Sequence, residues 1–196
     1  ALGYLAGSYT QGYGSVALGY SAGRTSQSTN AIAIGNLAGE QQQGSGSIAI
    51  GILAGSTSQR VDSVAIGSNA GASGQGSFAV AVGASAGAGY QPPSGPFSSQ
   101  GPYTTAVGYY AGVAGQGQSS VAIGAYAGLA SQGSQAVAIG YGAGGGTYIT
   151  FSPLQIQYSA QDGYTVAVGS FAGNYLQQSQ AISIGAFAGQ TNQNSS

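Results

Sequence analysis

Residues 63–77 read SVAIGSNAGASGQGS, and residues 119–133 read SSVAIGAYAGLASQG. In both, a run of β-branched and small residues closes on Gly, Ala-Gly follows after two variable positions, and Gln comes four residues later. A five-residue run of this kind ended by Gly predicts a short strand, and no apolar spacing of 3.6 residues competes with it. The wording recurs along the whole chain. Its first Gly falls at 3, 19, 35, 51, 67, 83, 108, 124, 140, 169 and 185, in steps of 16 broken by one of 25 and one of 29. That makes eleven copies of a 16-residue unit with insertions of 9 and 13 residues. A fixed period decides the architecture before any other feature is read.

Register inside the unit is strict. The residue before each Gly is Leu, Ile or Val, as in Ile50, Ile66 and Val82. The residue before that is Ala in every copy except the last, which has Ser183. Gln stands eight residues before each Gly from the second copy on, with Gln43, Gln59 and Gln75 in the middle of the row. Sixteen residues are too few for a strand plus a crossover helix, so the unit reads as one coil of an all-β, parallel β-solenoid. Coils stacked about 4.8 Å apart would make a rod about 50 Å long. Ile66 then lies between Ile50 and Val82, and the Gln side chains lie over one another as an amide ladder. Arg24 and Glu40 both sit five residues after a motif Gly, one rung apart, and should be neighbours. Such a pair is worth about 0–1 kcal/mol when exposed.

Successive residues of a strand point to opposite faces. Val and Ile share one face of SVAIG; Ser and the invariant Ala share the other. Neither face is charged, and uncharged strands are usually covered on both sides. A coil this thin can bury one face inside itself, so the other needs a partner, and association about a cyclic axis is the expectation. The alternative is a monomeric solenoid that leaves an alanine-coated side in water.

Charged residues make up 3% of the chain, about an eighth of the usual globular share. They are Arg24, Glu40, Arg60, Asp62 and Asp162. Two separated arginines cannot neutralise a row of phosphates, which speaks against nucleic acid and anionic membranes as partners. No run of about 18 apolar residues is present, so no membrane span is expected. Without His, Cys or Lys the chain has none of the usual bases and nucleophiles, and its three carboxylates fall on different rungs. The Gly-rich motif lacks the G-K-[ST] ending of a phosphate loop, and no Asp recurs per repeat as in calcium-binding coils. No catalytic residue, metal or cofactor is expected. Because the chain starts inside its own motif, it reads as a fragment of a longer one.

The repeated [SA]-[VI]-A-[ILV]-G-x-x-A resembles the head repeats of trimeric autotransporter adhesins, the YadA-like left-handed parallel β-roll, which also occur in fibres of viruses and phages. The resemblance spans residues 1–196 outside the insertions. It implies a homotrimer whose inner strands meet at a threefold axis. It further implies a non-enzymatic surface fibre or spike, extracellular, on a virion or a cell, serving attachment. The longer 16-residue unit, the fixed Ala-Gly and the Gln column depart from the bacterial wording. A self-assembling filament or matrix protein is the alternative. An ice-binding solenoid would want a regular Thr ladder, whereas the threonines here scatter.

The chain is one domain, 1–196, with insertions 88–103 and 145–163 that carry all five prolines. Proline cannot donate to a ladder, so both segments are expected to leave the stack. They carry Tyr90, Phe97, Tyr103, Tyr148, Phe151 and Tyr158, candidate contacts for a host-surface glycan or protein. Packing of these loops against the rod or a neighbouring subunit is the competing reading. Tyr4, Tyr20, Tyr109 and Tyr141 recur one residue after the motif Gly; Tyr110, Tyr126, Phe171 and Phe187 recur two after it. These read as rung-edge packing. Asn194-Ser195-Ser196 matches a glycosylation sequon.

Overall fold

The computed structural model describes residues 1–89, 99–146 and 161–190. Strands are numbered in chain order. In the first part of the chain β1 (Tyr9–Gln11), β3 (Thr25–Gln27), β5 (Gln41–Gln43), β7 (Thr57–Gln59) and β9 (Ser73–Gln75) form one parallel sheet. They alternate along the chain with β2 (Val16–Leu18), β4 (Ile32–Ile34), β6 (Ile48–Ile50), β8 (Val64–Ile66) and β10 (Val80–Val82). Those five continue through β11 (Thr105–Val107), β12 (Val121–Ile123), β13 (Val137–Ile139), β14 (Val166–Val168) and β15 (Ile182–Ile184) into a ten-stranded parallel sheet. A bridge from Leu2 to Leu18 adds the first rung. This is the parallel β-solenoid that the period predicts.

Register follows the motif, not the residue count. Ile66 pairs with Ile50 on one side and Val82 on the other. Val80 pairs with Thr105 and Val137 with Val166, so both insertions are absorbed without a slip. A one-residue slip would turn every side chain to the wrong face, which is why the repeat tolerates no drift. Arg24 and Glu40 meet at 3.0 Å, as their shared position requires.

The orientation of the faces goes against the alternative of an alanine-coated side in water. No alanine wall faces water: Ala17, Ala33, Ala49, Ala65, Ala81, Ala106, Ala122, Ala138 and Ala167 of the long sheet are all inside the coil, against the buried alanines of the Ala-Gly corners. Val and Ile of the same strands point outward and are half-buried or exposed. The reason is thickness. Two strands of one coil lie too close to hold branched side chains between them, and the interior takes methyl groups and one longer side chain per turn.

That longer side chain is Gln. Gln27, Gln43, Gln59, Gln75, Gln100, Gln161 and Gln177 are the largest fully buried residues among those described. Each amide crosses its coil: Gln75 Nε2 donates to Val64 O at 2.7 Å and to Ala79 O at 3.1 Å. The pattern repeats at Gln27, Gln43, Gln59 and Gln132. The amide ladder forms from Gln59 to Gln75 at 3.2 Å, through Gln100, Gln116 and Gln132 at 3.0 and 3.1 Å, and from Gln161 to Gln177 at 3.1 Å. A buried polar spine of this kind holds only because its donors are used.

Two glycines show why their columns do not vary. At Gly67 (φ 125°) a Cβ would sit 2.7 Å from the Gly83 carbonyl oxygen of the next rung. At Gly71 (φ 54°) it would sit 2.7 Å from Gln75 Oε1. The first Gly is therefore required by stacking, and the second by the Gln amide packed over it.

Prolines are not confined to segments outside the stack. Pro102 occupies a regular corner: Tyr103 N–H donates to Ser77 O, and Ser119 N–H to Pro102 O, both at 3.0 Å. This corner links rungs through its carbonyls and the next residue's N–H, so a proline there sacrifices no ladder bond. Pro92, Pro93, Pro96 and Pro153 lie outside the described residues.

Candidate functional site

The described residues hold no group of three His, Cys, Asp or Glu side chains that could bind a metal ion. What the solenoid offers is surface, of two kinds.

The first is the outer face of the long sheet. Val, Ile and, at Leu18, Leu occupy the first and third positions of the long sheet's strands and make two ridges along the rod, with Ile50, Ile66 and Val82 in one of them. A single Thr, Thr105, interrupts the other. Ile66 and Ile123 are each 38% exposed although their neighbours above and below are also aliphatic. This is an exposed apolar strip without a charge in it, far beyond the scattered apolar residues that surfaces ordinarily carry.

The second is the corner where the chain leaves that sheet. Here the two variable residues after the motif Gly stack rung on rung. The second of them has positive φ in every described copy, whether it is Leu37 (57°), Asn69 (57°), Tyr126 (59°) or Phe171 (55°). Bulky residues adopt this conformation at a cost of about 1–2 kcal/mol each. It turns the N–H along the rod: Leu37 donates to Tyr20 O, Tyr126 to Tyr109 O and Phe171 to Tyr141 O, at 2.8–2.9 Å.

Aromatics gather on this corner from Tyr109 onward. Tyr110 stacks on Tyr126 (ring centroids 5.9 Å, 18° between planes) and Phe171 on Phe187 (5.6 Å, 15°). Tyr109 and Tyr141 stand across that column, at 89° and 76° to Tyr126, with centroids 5.4 and 5.8 Å away. Desolvation by the surrounding rings, followed by the Tyr126 and Tyr110 phenols close by, raises the Tyr109 pKa above its ordinary value. Tyr4 and Tyr20 stack at 5.5 Å at the other end of the rod. The expected rung-edge packing is therefore present, and it leaves Tyr109 and Tyr141 about half exposed.

Of the six aromatic residues expected to project from the insertions, Tyr103 belongs to a regular corner. Its ring lies flat on Phe78 at 5.2 Å and 6°, at a position that Asp62 and Gln135 fill on other rungs. Tyr90, Phe97, Tyr148, Phe151 and Tyr158 lie outside the described residues, as does Asn194. The structural columns Gln43, Gln59 and Gln75 fall where expected, but in the interior and not on a surface. Among the described residues no helix is long and apolar enough to cross a membrane.

Comparison with protein-family models, with curated proteins and with solved structures finds no match for this chain.

Proposed function

We propose that the chain is a non-enzymatic rod for surface attachment, built from three copies whose long sheets face a common axis. The carrying observation is the pair of aliphatic ridges, broken at Thr105 in one of them, on the outside of a protein with almost no charge. Each ridge residue is worth about 1.5–3 kcal/mol when fully withdrawn from water. The interior alanines supply much less apiece, and ordering 38 glycines opposes folding. Covering the ridges offsets that cost. A flat coil with one apolar wall suits a closed ring of three identical subunits, since one ridge of each wall can meet the other ridge of the next copy's wall about the axis. A trimer of this kind is the assembly that the head-repeat resemblance implies.

In this reading the rod is extracellular, on a virion or a cell, and meets a host-surface glycan or protein with the faces that point away from the axis. A repetitive, stiff, charge-poor shaft separates an anchor from a target without chemistry of its own. The test is sedimentation equilibrium of the intact protein, with Ile66→Asp/Ile123→Asp beside it. The expected mass is three times the chain, 18.9 kDa each, and the double variant should dissociate or fail to assemble. A wild-type protein that sediments as one folded chain would overturn the proposal.

A further inference from the structure

The aromatic corner carries an inference that deepens the attachment reading and rests on it. The geometry points to the strip from Tyr109 to Tyr141 as a binding site for one extended chain of neutral, β-linked pyranose sugars lying along the rod.

Four observations converge on this. First, the fold does not need aromatic residues here. The first variable position is filled by Asn36, Ile52, Ser68 and Ala84 on other rungs, and the second by Leu37, Leu53, Asn69 and Ser85 with the same positive φ. Second, the two variable positions are oriented differently. Rings of the second column stack on one another, whereas Tyr109 and Tyr141 stand across them and are 49% and 51% exposed. A phenol held by neighbours yet half open presents apolar surface with a polar tip.

Third, the spacing is that of a disaccharide. Ala125 separates Tyr109 from Tyr141 in their column, so the two phenols are two rungs apart, on the order of 10 Å. In an extended β-1,4-linked chain alternate sugars turn the same face outward, and one disaccharide covers about the same length. Each phenol would stack on every second sugar, with the sugar between them passing over the Tyr126 ring that stands between the two phenols. Fourth, the corner is neutral. Arg24, Glu40, Arg60 and Asp62 lie on earlier rungs, and Asp162 lies beside the Gln column. Nothing there would recognise a charged polymer.

The test is a titration of the assembled protein with cellohexaose and with chitohexaose, followed by NMR of the tyrosine ring signals and by calorimetry. Substitutions are taken from the chain's own other rungs, where the fold already accepts them: Tyr109→Ala, as at Ala84, and Tyr141→Ser, as at Ser68. Each should weaken binding at least tenfold, and together they should abolish it. Tyr4→Ala should leave it unchanged, and Tyr109→Phe, which keeps the ring, should retain most of it. Failure of the wild-type trimer to bind either hexasaccharide saturably would overturn the site and leave the trimer standing. Binding unaffected by the double substitution would also overturn it. So would variants that lose the trimer instead of the sugar, because the strip would then belong to the contact between copies.

Discussion

The two halves of the rod use one scaffold and dress it differently. The position five residues after the motif Gly shows it best. In the first half that column reads Arg24, Glu40, Ser56 and Ala72; in the second it reads Val113, Leu129, Gly145 and Asn174. An ion pair at 3.0 Å holds two rungs together near one end, and buried Val113 and Leu129 do so further along. The wall beside this column differs accordingly. Up to Gln75 it is a ladder of three-residue strands, in which Thr57 Oγ1 donates to Ala72 O at 2.6 Å. Beyond Gln75 the described residues of this wall are joined by single bridges between glutamines, among them Gln75–Gln100, Gln100–Gln116, Gln116–Gln132 and Gln132–Gln161. The long sheet runs through both halves unchanged. Function is therefore to be sought in the columns that vary, and stability in those that do not.

The largest expected effect tests the shared scaffold. Gly67→Ala and Gly124→Ala place a Cβ within 2.7 and 2.6 Å of the next rung's carbonyl oxygen, in opposite halves of the rod. Backbone cannot move aside without breaking the ladder, so each should cost about 3 kcal/mol or more. Gly185→Ala meets nothing nearer than the Ala188 Cβ at 4.0 Å, which leaves only the strain of φ 117°, about 1–2 kcal/mol. Denaturant unfolding of the three variants measures this. A Gly124 variant much milder than the Gly67 variant would break the claim that the halves share one scaffold.

How much of this was legible follows from which interactions are periodic. Register, the Ile50–Ile66–Val82 column and the Arg24–Glu40 contact could be read directly, because stacking puts equal positions together whatever fills them. The orientation of the strands could not. Alternation in SVAIG separates Ala from Val and Ile, but says nothing of which set goes inside. The signal was present in the constant Gln: a buried amide long enough to cross a coil implies a narrow interior that branched residues cannot share. Positive φ at Leu37, Tyr126 and Phe171 was hidden for another reason. Local preference assigns that conformation to Gly and Asn, and here the hydrogen bond to the neighbouring rung overrides it. Tyr103 lies in the stack and not in the insertion because the chain rejoins the ladder already at Gln100, a return that the prolines on either side of it disguise in the sequence.

The next effect in size sharpens the contrast between the halves. Ser56 and Leu129 occupy the same column and are equally buried, each 8% exposed. Leu129→Ala removes an apolar side chain held against its neighbours and should cost about 2–3 kcal/mol. Ser56→Ala removes one hydroxyl that donates to Ala72 O at 3.2 Å, and should cost no more than about 1 kcal/mol. Equal losses would mean that the column is not packed differently in the two halves.

The smallest effect belongs to the ion pair. Arg24 and Glu40 side chains are 34% and 16% exposed, so water and salt still reach the charges. Glu40→Gln should lower stability by no more than about 1 kcal/mol, and the difference from wild type should shrink as salt is raised toward 1 M, where screening acts within about 3 Å. Leu129→Ala should show no such salt dependence, since its loss is of apolar contact. A Glu40→Gln effect as large as that of Leu129→Ala, and indifferent to salt, would make the pair a structural clamp. The polar first half would then depend on its charges as the second half depends on its core.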